Sequence, residues 1–577
     1  MTPAVIGYMR FYDRDFDIIG KSKSEDTSCR TDSIPVHNLY SVSSFSKNFL
    51  SSVRSPAILA MLAALIVSGR VEMNCLAHNG KTGVRIIVCL LVLLVIVPVH
   101  GRAGAQQLSI REIRRIGPAY GGHGGMWADT DGDGLPDLYM TYNGSSGLVP
   151  DFYFHNNGNE TFQDQTQVSG LDDTDGGSHG ACWADLDNDG DYDLINATTY
   201  VVSSFSNTND LFENLGNGQF VRIQGTPLDS RHEKTRAILA FDMDGDGDLD
   251  IFAVNGYRGS DSHENNEVYR NDGDFRFTQI TSGALYGCPA GQGATDTDFD
   301  GDGDVDIIAA NRTGKVNILK NDGHGNFTRV DPVSVGINHK AGDGITTADI
   351  DNDGDLDLLL VTAGSSELYR NNGGGHFSYL AHFNDKGYMG GFADLDNDGD
   401  LDLVFAGGSH VYLNNGHGGF YKGPAIPDAN QSDPRSIAFA DINNNGQEDF
   451  IRVSKGSENR IYAADNPSGN WLELDLISEN GQIGAFGAKV YVYSIDQNGE
   501  SDQLIGFREV NSNQGYLAEN SPRLHFGLGT AGRVNVRVHF LSGTEVIRKQ
   551  VEANYAYTID GRNTQLIPGI MLLLSQN

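Results

Sequence analysis

The chain has 577 residues, with 41 Lys or Arg against 76 Asp or Glu and a formal net charge of −35. Residues 1–105 hold 11 of the basic and 7 of the acidic groups, so the remainder carries 30 basic and 69 acidic residues, a net of −39. A field of that sign repels phosphate backbones and anionic lipid, which excludes nucleic acid and acidic membrane surfaces as partners.

Residues 86–99 form a 14-residue apolar run preceded by Lys81 and Arg85 and followed by Ala103-Gly104-Ala105. This is the pattern of a secretory signal, and it is too short for a comfortable membrane span. We expect a leader over 1–105, with a signal peptide over about 73–105 starting at Met73 and cut after Ala105. A start at Met73 leaves the upstream stretch untranslated; an uncleaved anchor would instead leave residues 1–85 inside. Cleavage gives a secreted, periplasmic or cell-surface product with no membrane span in the mature chain. Only Cys182 and Cys288 then remain, too few for a disulfide framework, and we expect two buried thiols.

From Asp129 onward an acidic nonapeptide D-x-D-x-D-G-x-x-D recurs at an average interval of 52 residues. Carboxylates stand at positions 1, 3, 5 and 9: Asp129, Asp131, Asp133 and Asp137; Asp185, Asp187, Asp189 and Asp193; Asp242, Asp244, Asp246 and Asp250; Asp298, Asp300, Asp302 and Asp306; Asp349, Asp351, Asp353 and Asp357; Asp394, Asp396, Asp398 and Asp402. A seventh copy offers Asp441, Asn443, Asn445 and Asp449. Four carboxylates on a tightly wound loop, with a backbone carbonyl and water, suit the roughly 6 to 8 hard oxygen ligands of Ca2+. An EF-hand closes with Glu at position 12 between helices, whereas these loops close at position 9 between short apolar strands such as Ile251-Phe252-Ala253-Val254. We expect six strong calcium sites and one weak one, because ligand charge helps set affinity. The loops hold 32 of the 69 acidic residues, so metal ligation accounts for much of the net charge.

Each loop is followed by a second signal. Asn156, Asn214, Asn271, Asn321, Asn371 and Asn414 open Gly-containing hairpins that lead to Phe162, Phe220, Phe277, Phe327, Phe377 and Phe420. Such steps supply the positive φ of tight turns. Each repeat therefore reads as strand, loop, strand, connection, strand, hairpin, strand, and four strands in about 50 residues describe a propeller blade. The seventh repeat lacks its hairpin, and residues 108–116 precede the first loop where a fourth strand would lie, so the N-terminal strand is expected to close the ring. The fold class is all-β: a seven-bladed β-propeller with integrin-α-like calcium loops over 106–470, followed by a small β-sandwich-like domain over 471–577. In the latter, Lys489-Val490-Tyr491-Val492-Tyr493 and Val534-Asn535-Val536-Arg537-Val538 alternate with the period of strands. His525, with no acidic or Cys cluster near it in sequence, reads as a structural turn residue.

These loops resemble the FG-GAP or VCBS repeats of integrin α-subunit propellers over residues 108–470. Asn470-Trp471-Leu472, the segment from Gly484 to Val490, Gly515-Tyr516-Leu517 and His525-Phe526-Gly527-Leu528-Gly529 resemble the ASPIC/UnbV domain. The pairing is that of the cartilage acidic protein family and its bacterial relatives. It implies an exported calcium-binding protein and no particular biochemical activity.

Counting back six residues from each loop gives His123, His179, Arg236, Gln292, Asp343, Tyr388 and Arg435, all polar or amphipathic. Six residues of strand span roughly 20 Å, so this ring is expected at the channel end away from the loops. The connections from loop to hairpin are 19, 21 and 21 residues in repeats one to three but 15, 14 and 12 in repeats four to six, and the long ones carry Tyr142, Tyr200, Tyr257 and Arg258. Elaborated loops on a rigid scaffold are where binding concentrates. The leading function is a calcium-stabilised binding or adhesion module for a glycan or protein ligand, with His123, His179, Arg236, Tyr142, Tyr200, Tyr257 and Arg258 as its ligand-binding candidates. The rivals are a calcium-dependent polysaccharide lyase or hydrolase and a structural component of a surface assembly. No Walker, H-E-x-x-H or CxxC motif is present.

Overall fold

The computed structural model describes residues 108–563 apart from 144–149, 172–176, 199–207, 231–233, 257–265, 290, 312–313, 340–341, 466 and 514. It also describes the backbone of a hairpin in which Ile6–Tyr12 pairs with Asp15–Lys21. The expected signal peptide, Tyr200, Tyr257 and Arg258 lie outside these residues.

Seven antiparallel arrays of four strands follow one another along the chain, six of them separate sheets and the first extended to five strands by a parallel strand from the C-terminal region. The second is typical: Ser178–Ala184, Asp193–Thr198, Asp210–Asn214 and Phe220–Ile223, paired in sequence order. Its inner strand is buried throughout and rich in small residues, because neighbouring blades crowd together at the ring axis. The next strand out is buried on both faces, packed between adjacent blades, which is why Asp250–Asn255 and Asp357–Val361 read as continuous apolar runs after their first Asp. The outer strands bury one side and turn polar side chains to solvent, as in Phe277–Ile280, where Phe277 is buried and Thr278 exposed.

Inner strands of successive sheets touch, and the seventh, Pro434–Ala440, touches the first, Gly122–Ala128. The ring is thus closed. The expected closure strand is present: Ser109–Ile116 pairs antiparallel with Asn459–Asp465 as the outer strand of the seventh blade. Closure removes the free sheet edges that invite aggregation. Cys182 and Cys288 are free and buried, as expected.

The C-terminal region forms two sheets. Asn470–Ile477 lies between Leu524–Gly529 and Tyr555–Asp560, and Lys489–Ile495 lies between Ser501–Glu509 and Arg533–His539, with Glu545–Glu552 outermost. Their core is continuous with that of blades two and three: Leu472, Val490 and Val536 share one apolar cluster with Leu186, Ile195 and Ile238. The propeller and the C-terminal sheets form a single compact unit.

The channel is not open. Residues 511–521 of the C-terminal region run into it and meet the inner strand of every blade. Ala518–Glu519 adds a parallel strand to Gly125 and Met126 of blade one. Glu519 accepts from the Trp183 backbone N–H at 2.8 Å, Ser512 Oγ accepts from Ala240 N at 3.1 Å, and Thr295 Oγ1 donates to Asn513 O at 3.2 Å. The Gly515 position lies against Ile345 in blade five, Tyr516 stacks near Tyr388 of blade six at 6.3 Å, and Ser521 N donates to Phe439 O of blade seven at 3.0 Å. Gly515 has φ +87°, and a Cβ there would stand 1.5 Å from Ile345 O. Only glycine fits at that point of the plug.

Candidate functional sites: the acidic loops and the channel end

Each loop winds on two left-handed residues. Position 6 is always Gly, as at Gly190 with φ +99°, and position 4 is Gly or Asn, the latter at Asn188, Asn352, Asn397 and Asn444 with φ between 54° and 61°. Asn tolerates this conformation better than other side chains. The winding lets the first Asp of every loop accept the backbone N–H of position 6 at 2.5–3.2 Å. Carboxylate oxygens then converge: one oxygen from each of Asp129, Asp131 and Asp133 lies within 4.8 Å of the others, and the same holds for Asp185, Asp187 and Asp193, for Asp242, Asp244 and Asp246, and for Asp298, Asp300 and Asp302.

Hydrogen bonding does not satisfy these oxygens. Asp244 Oδ1, Asp300 Oδ1, Asp351 Oδ1, Asp396 Oδ1 and Asn443 Oδ1 are buried without a hydrogen-bond partner, and all five occupy loop position 3. The recurrence of one orphaned oxygen at one position in five loops is what a cation-binding set requires. Burial, with repulsion from neighbouring carboxylates, raises Asp129, Asp185 and Asp349 to a pKa of about 7 and Asp250 and Asp357 to about 8. A divalent cation removes both penalties at once.

The loops are unequal. In blades one, four and five the residue before the hairpin Asn pairs with the loop of its own blade. His155 lies 3.3 Å from Asp131 and 3.1 Å from Asp137. Lys320 pairs with Asp300 and, at 2.9 Å, with Asp302, and Arg370 with Asp351 at 2.9 Å. In blade two the equivalent is Glu213, whose charge raises Asp187 further, and in blade six it is Leu413.

The hairpin asparagines, read in the sequence as turn residues, also staple the ring. Asn214 Nδ2 donates to Tyr192 O of its own loop at 3.1 Å and to Thr130 O of the preceding loop at 2.9 Å. Asn156, Asn271, Asn321, Asn371 and Asn414 repeat the pair of bonds around the ring, Asn156 reaching back to Ile442 of blade seven. Their backbone N–H groups bind the position-9 Asp, which locks hairpin and loop together.

The C-terminal sheets sit on this loop face. Ile483 N donates to Asp185 Oδ2 at 3.0 Å, Glu509 accepts from Asp298 N at 3.0 Å, and Lys489 pairs with Asp298. Arg508, half-buried, stands near Asp349, Asp394 and Glu448, and Arg523 donates to Gly134 O at 3.1 Å. His525 is likewise buried here, 3.4 Å from Glu473 and 2.8 Å from Asn397, so the expectation that it lacks acidic neighbours does not hold. Sequence proximity missed Glu473 because it reaches His525 across two paired strands.

At the other end of the channel, counting along the strands places together what it was expected to. The rings of His123 and His179 lie 4.5 Å apart, Arg236 Nη1 lies 2.8 Å from His179 Nε2, and the Arg435 guanidinium stands 4.5 Å over the Tyr388 ring. Asp433 holds Arg435 at 2.6 Å. These side chains were expected to face an open mouth, whereas His123, His179 and Arg236 are buried, with the plug beneath them. Burial, then the neighbouring Arg charges, holds both histidines well below the usual imidazole range. Tyr142 does not join them. It is the last residue of a blade-one strand, fully buried against Phe152, with its hydroxyl 2.7 Å from Asn459 Nδ2.

No helix among the described residues is long and apolar enough to cross a membrane. Residues 129–195, 198–253, 242–296, 298–360, 349–405 and 394–452 match the FG-GAP-like repeat, and residues 479–566 match the ASPIC and UnbV domain. Cartilage acidic protein 1 of Mus musculus is 32% identical over 164 residues, 28% of this chain and 24% of its own length, and that of Homo sapiens is 31% identical over the same span. The chain thus spans about a quarter of the curated relatives it matches. Solved structures similar to it include an Agrocybe aegerita lectin that recognises non-reducing terminal N-acetylglucosamine, at 22% identity over 54% of this chain and 82% of that one, with a TM-score of 0.40. Another is the lectin BP39L of Burkholderia pseudomallei, at 12% identity over 60% and 97%, with a TM-score of 0.42.

Proposed function

From a chain that belongs to the FG-GAP-like repeat family and carries an ASPIC and UnbV domain, we propose an exported, calcium-stabilised binding or adhesion module for a glycan or protein ligand. The acidic loops are its fasteners. Positions 1, 3, 5 and 9 of each would hold Ca2+, whose bonds to two strands of one blade tie them together; the orphaned oxygens at position 3 support this. The ligand belongs at the opposite end of the ring, and one observation carries that choice: the loop face is covered by the C-terminal sheets, while His123, His179, Arg236, Tyr388 and Arg435 gather at the other end. Hydrogen-bonding groups beside an aromatic ring suit a sugar or an extended peptide.

A lyase or hydrolase is the second reading, favoured by the contact of neutral His179 with Arg236, a base beside a charge stabiliser. A panel of acidic and neutral polysaccharides, scored for binding and for newly released chain ends with and without chelator, tests both. Binding that Arg236→Ala abolishes, without product, is the expected result. Product formation lost in His179→Ala would replace the binding reading with the enzymatic one, and no binding by any member of the panel or by matrix proteins would end it.

A further inference from the structure

The seventh loop is the poorest in charge, with Asn443 and Asn445 where the others have Asp. The C-terminal region brings a carboxylate to it. Glu473, on Asn470–Ile477, is 1% exposed and lines the same small cavity as Asp441, the first residue of that loop. Two carboxylates facing one cavity repel unless a proton or a cation lies between them. Glu473 Oε2 is buried with no hydrogen-bond partner, and so is Asn443 Oδ1. The nearest cation, Arg523 Nη1, stands 4.0 Å from Glu473 Oε2 and is committed elsewhere: its Nε holds Asp475 at 3.0 Å and its Nη1 donates to Asn444 Oδ1 and Gly134 O. His525 does not reach that oxygen: Asn397 Nδ2 donates to Gly446 O at 2.8 Å, which turns Asn397 Oδ1 toward His525 Nε2, and His525 Nδ1 stands 3.4 Å from Glu473 Oε1, the other carboxylate oxygen. Asp441, Glu473, Glu448 and Asp129 share a cavity of about 30 Å³, room for one water-sized occupant.

We propose that Glu473 completes the seventh loop as a composite calcium site, ligated by Asp441, Asn443, Asn445 and Asp449 of the propeller and by Glu473 of the C-terminal sheets. This rests on the reading that the loops hold calcium and extends it to a site neither module makes alone. The ion would then bolt the two modules together, in addition to tying strands within one blade.

The test is the number of Ca2+ ions retained by the folded full chain in native mass spectrometry, for wild type, Asp242→Asn, Asp441→Asn and Glu473→Gln. One fewer ion in each variant is expected, Asp242→Asn reporting on an ordinary loop. Glu473→Asp, which keeps the charge, should retain the wild-type number and bind the last ion more weakly, which separates ligation from misfolding. A wild-type count in Glu473→Gln overturns the composite site, whether or not Asp441→Asn loses an ion. A wild type without ions overturns the parent reading instead.

Discussion

The two ends of the ring are built from the same seven strands and have opposite chemistry. Where the inner strands leave the axis, seven acidic loops crowd carboxylates together, and the C-terminal sheets answer with Lys489, Arg508 and Arg523. Where the strands enter, single polar residues meet: two histidines, two arginines and a tyrosine, with no comparable cluster of acids among the described residues. The loop end is covered by its own chain; the other end gathers polar side chains, three of them buried. On the proposed reading, the repeat marks where the scaffold is fastened and the positions at which the repeats differ mark where a ligand would be met.

The contrast is broken most severely by removing the fasteners. Chelation should lower the melting temperature in calorimetry by tens of degrees, since each site at a hundredfold excess of free calcium over its Kd contributes about 2.7 kcal/mol. An unchanged melting temperature would refute calcium ligation. Next in size is the plug. Gly515→Val forces a side chain into Ile345 O and should cost at least ~3 kcal/mol, read as a lower denaturation midpoint or as separation of one unfolding transition into two. A wild-type midpoint would show that the plug is dispensable. Removing one staple is milder: Asn214→Ala leaves Thr130 O and Tyr192 O unpaired and should cost about 1–3 kcal/mol in the same assay.

Acidity sharpens the comparison further. Without metal, the raised carboxylates of Asp129, Asp185, Asp349, Asp250 and Asp357 bind more protons folded than unfolded, so their contribution is retained below about pH 4 and lost as pH rises through about 7 to 8. Calcium takes the place of the proton, so the gap in melting temperature between calcium-loaded and chelated protein should widen from pH 5 to pH 8. A gap independent of pH would contradict the assignment of these groups as ligands. Last comes Arg236→Ala, which removes a buried side chain and its contact with His179 and should cost about 1–3 kcal/mol while, on the proposed reading, abolishing ligand binding; a collapse of the fold would make the channel-end cluster structural.

Much of this was legible in the sequence because it is local. A nonapeptide carries its own winding, and Asn-Gly its own turn, so loops, hairpins and the closing strand at 109–116 could be read from residues a few positions apart. The convergence of His123, His179 and Arg236 was legible too, because equal counts back from equal loops fall at equal heights. What was not legible is what a distant segment does to them. Gly515-Tyr516-Leu517 reads only as part of the ASPIC/UnbV-like segment, and nothing within it says that it fills a channel formed by strands as far back as residue 122. Tyr142, read as part of a long connection, belongs to a strand paired with Gly122 and faces Asn459, a neighbour that exists only once the ring has closed.

That closure has a consequence for the order of assembly. Ser109–Ile116 is made early and pairs with Asn459–Asp465, so on an emerging chain it remains an unpaired edge until six blades have been synthesised. Contacts so far apart in sequence form slowly. Residues 515–521 are made later still, after both strands of that closing pair. Nascent propeller therefore passes through a long interval with its edge exposed and its channel empty, and it is in that interval, before either seal is in place, that a chaperone or a second copy of the chain finds the most to hold.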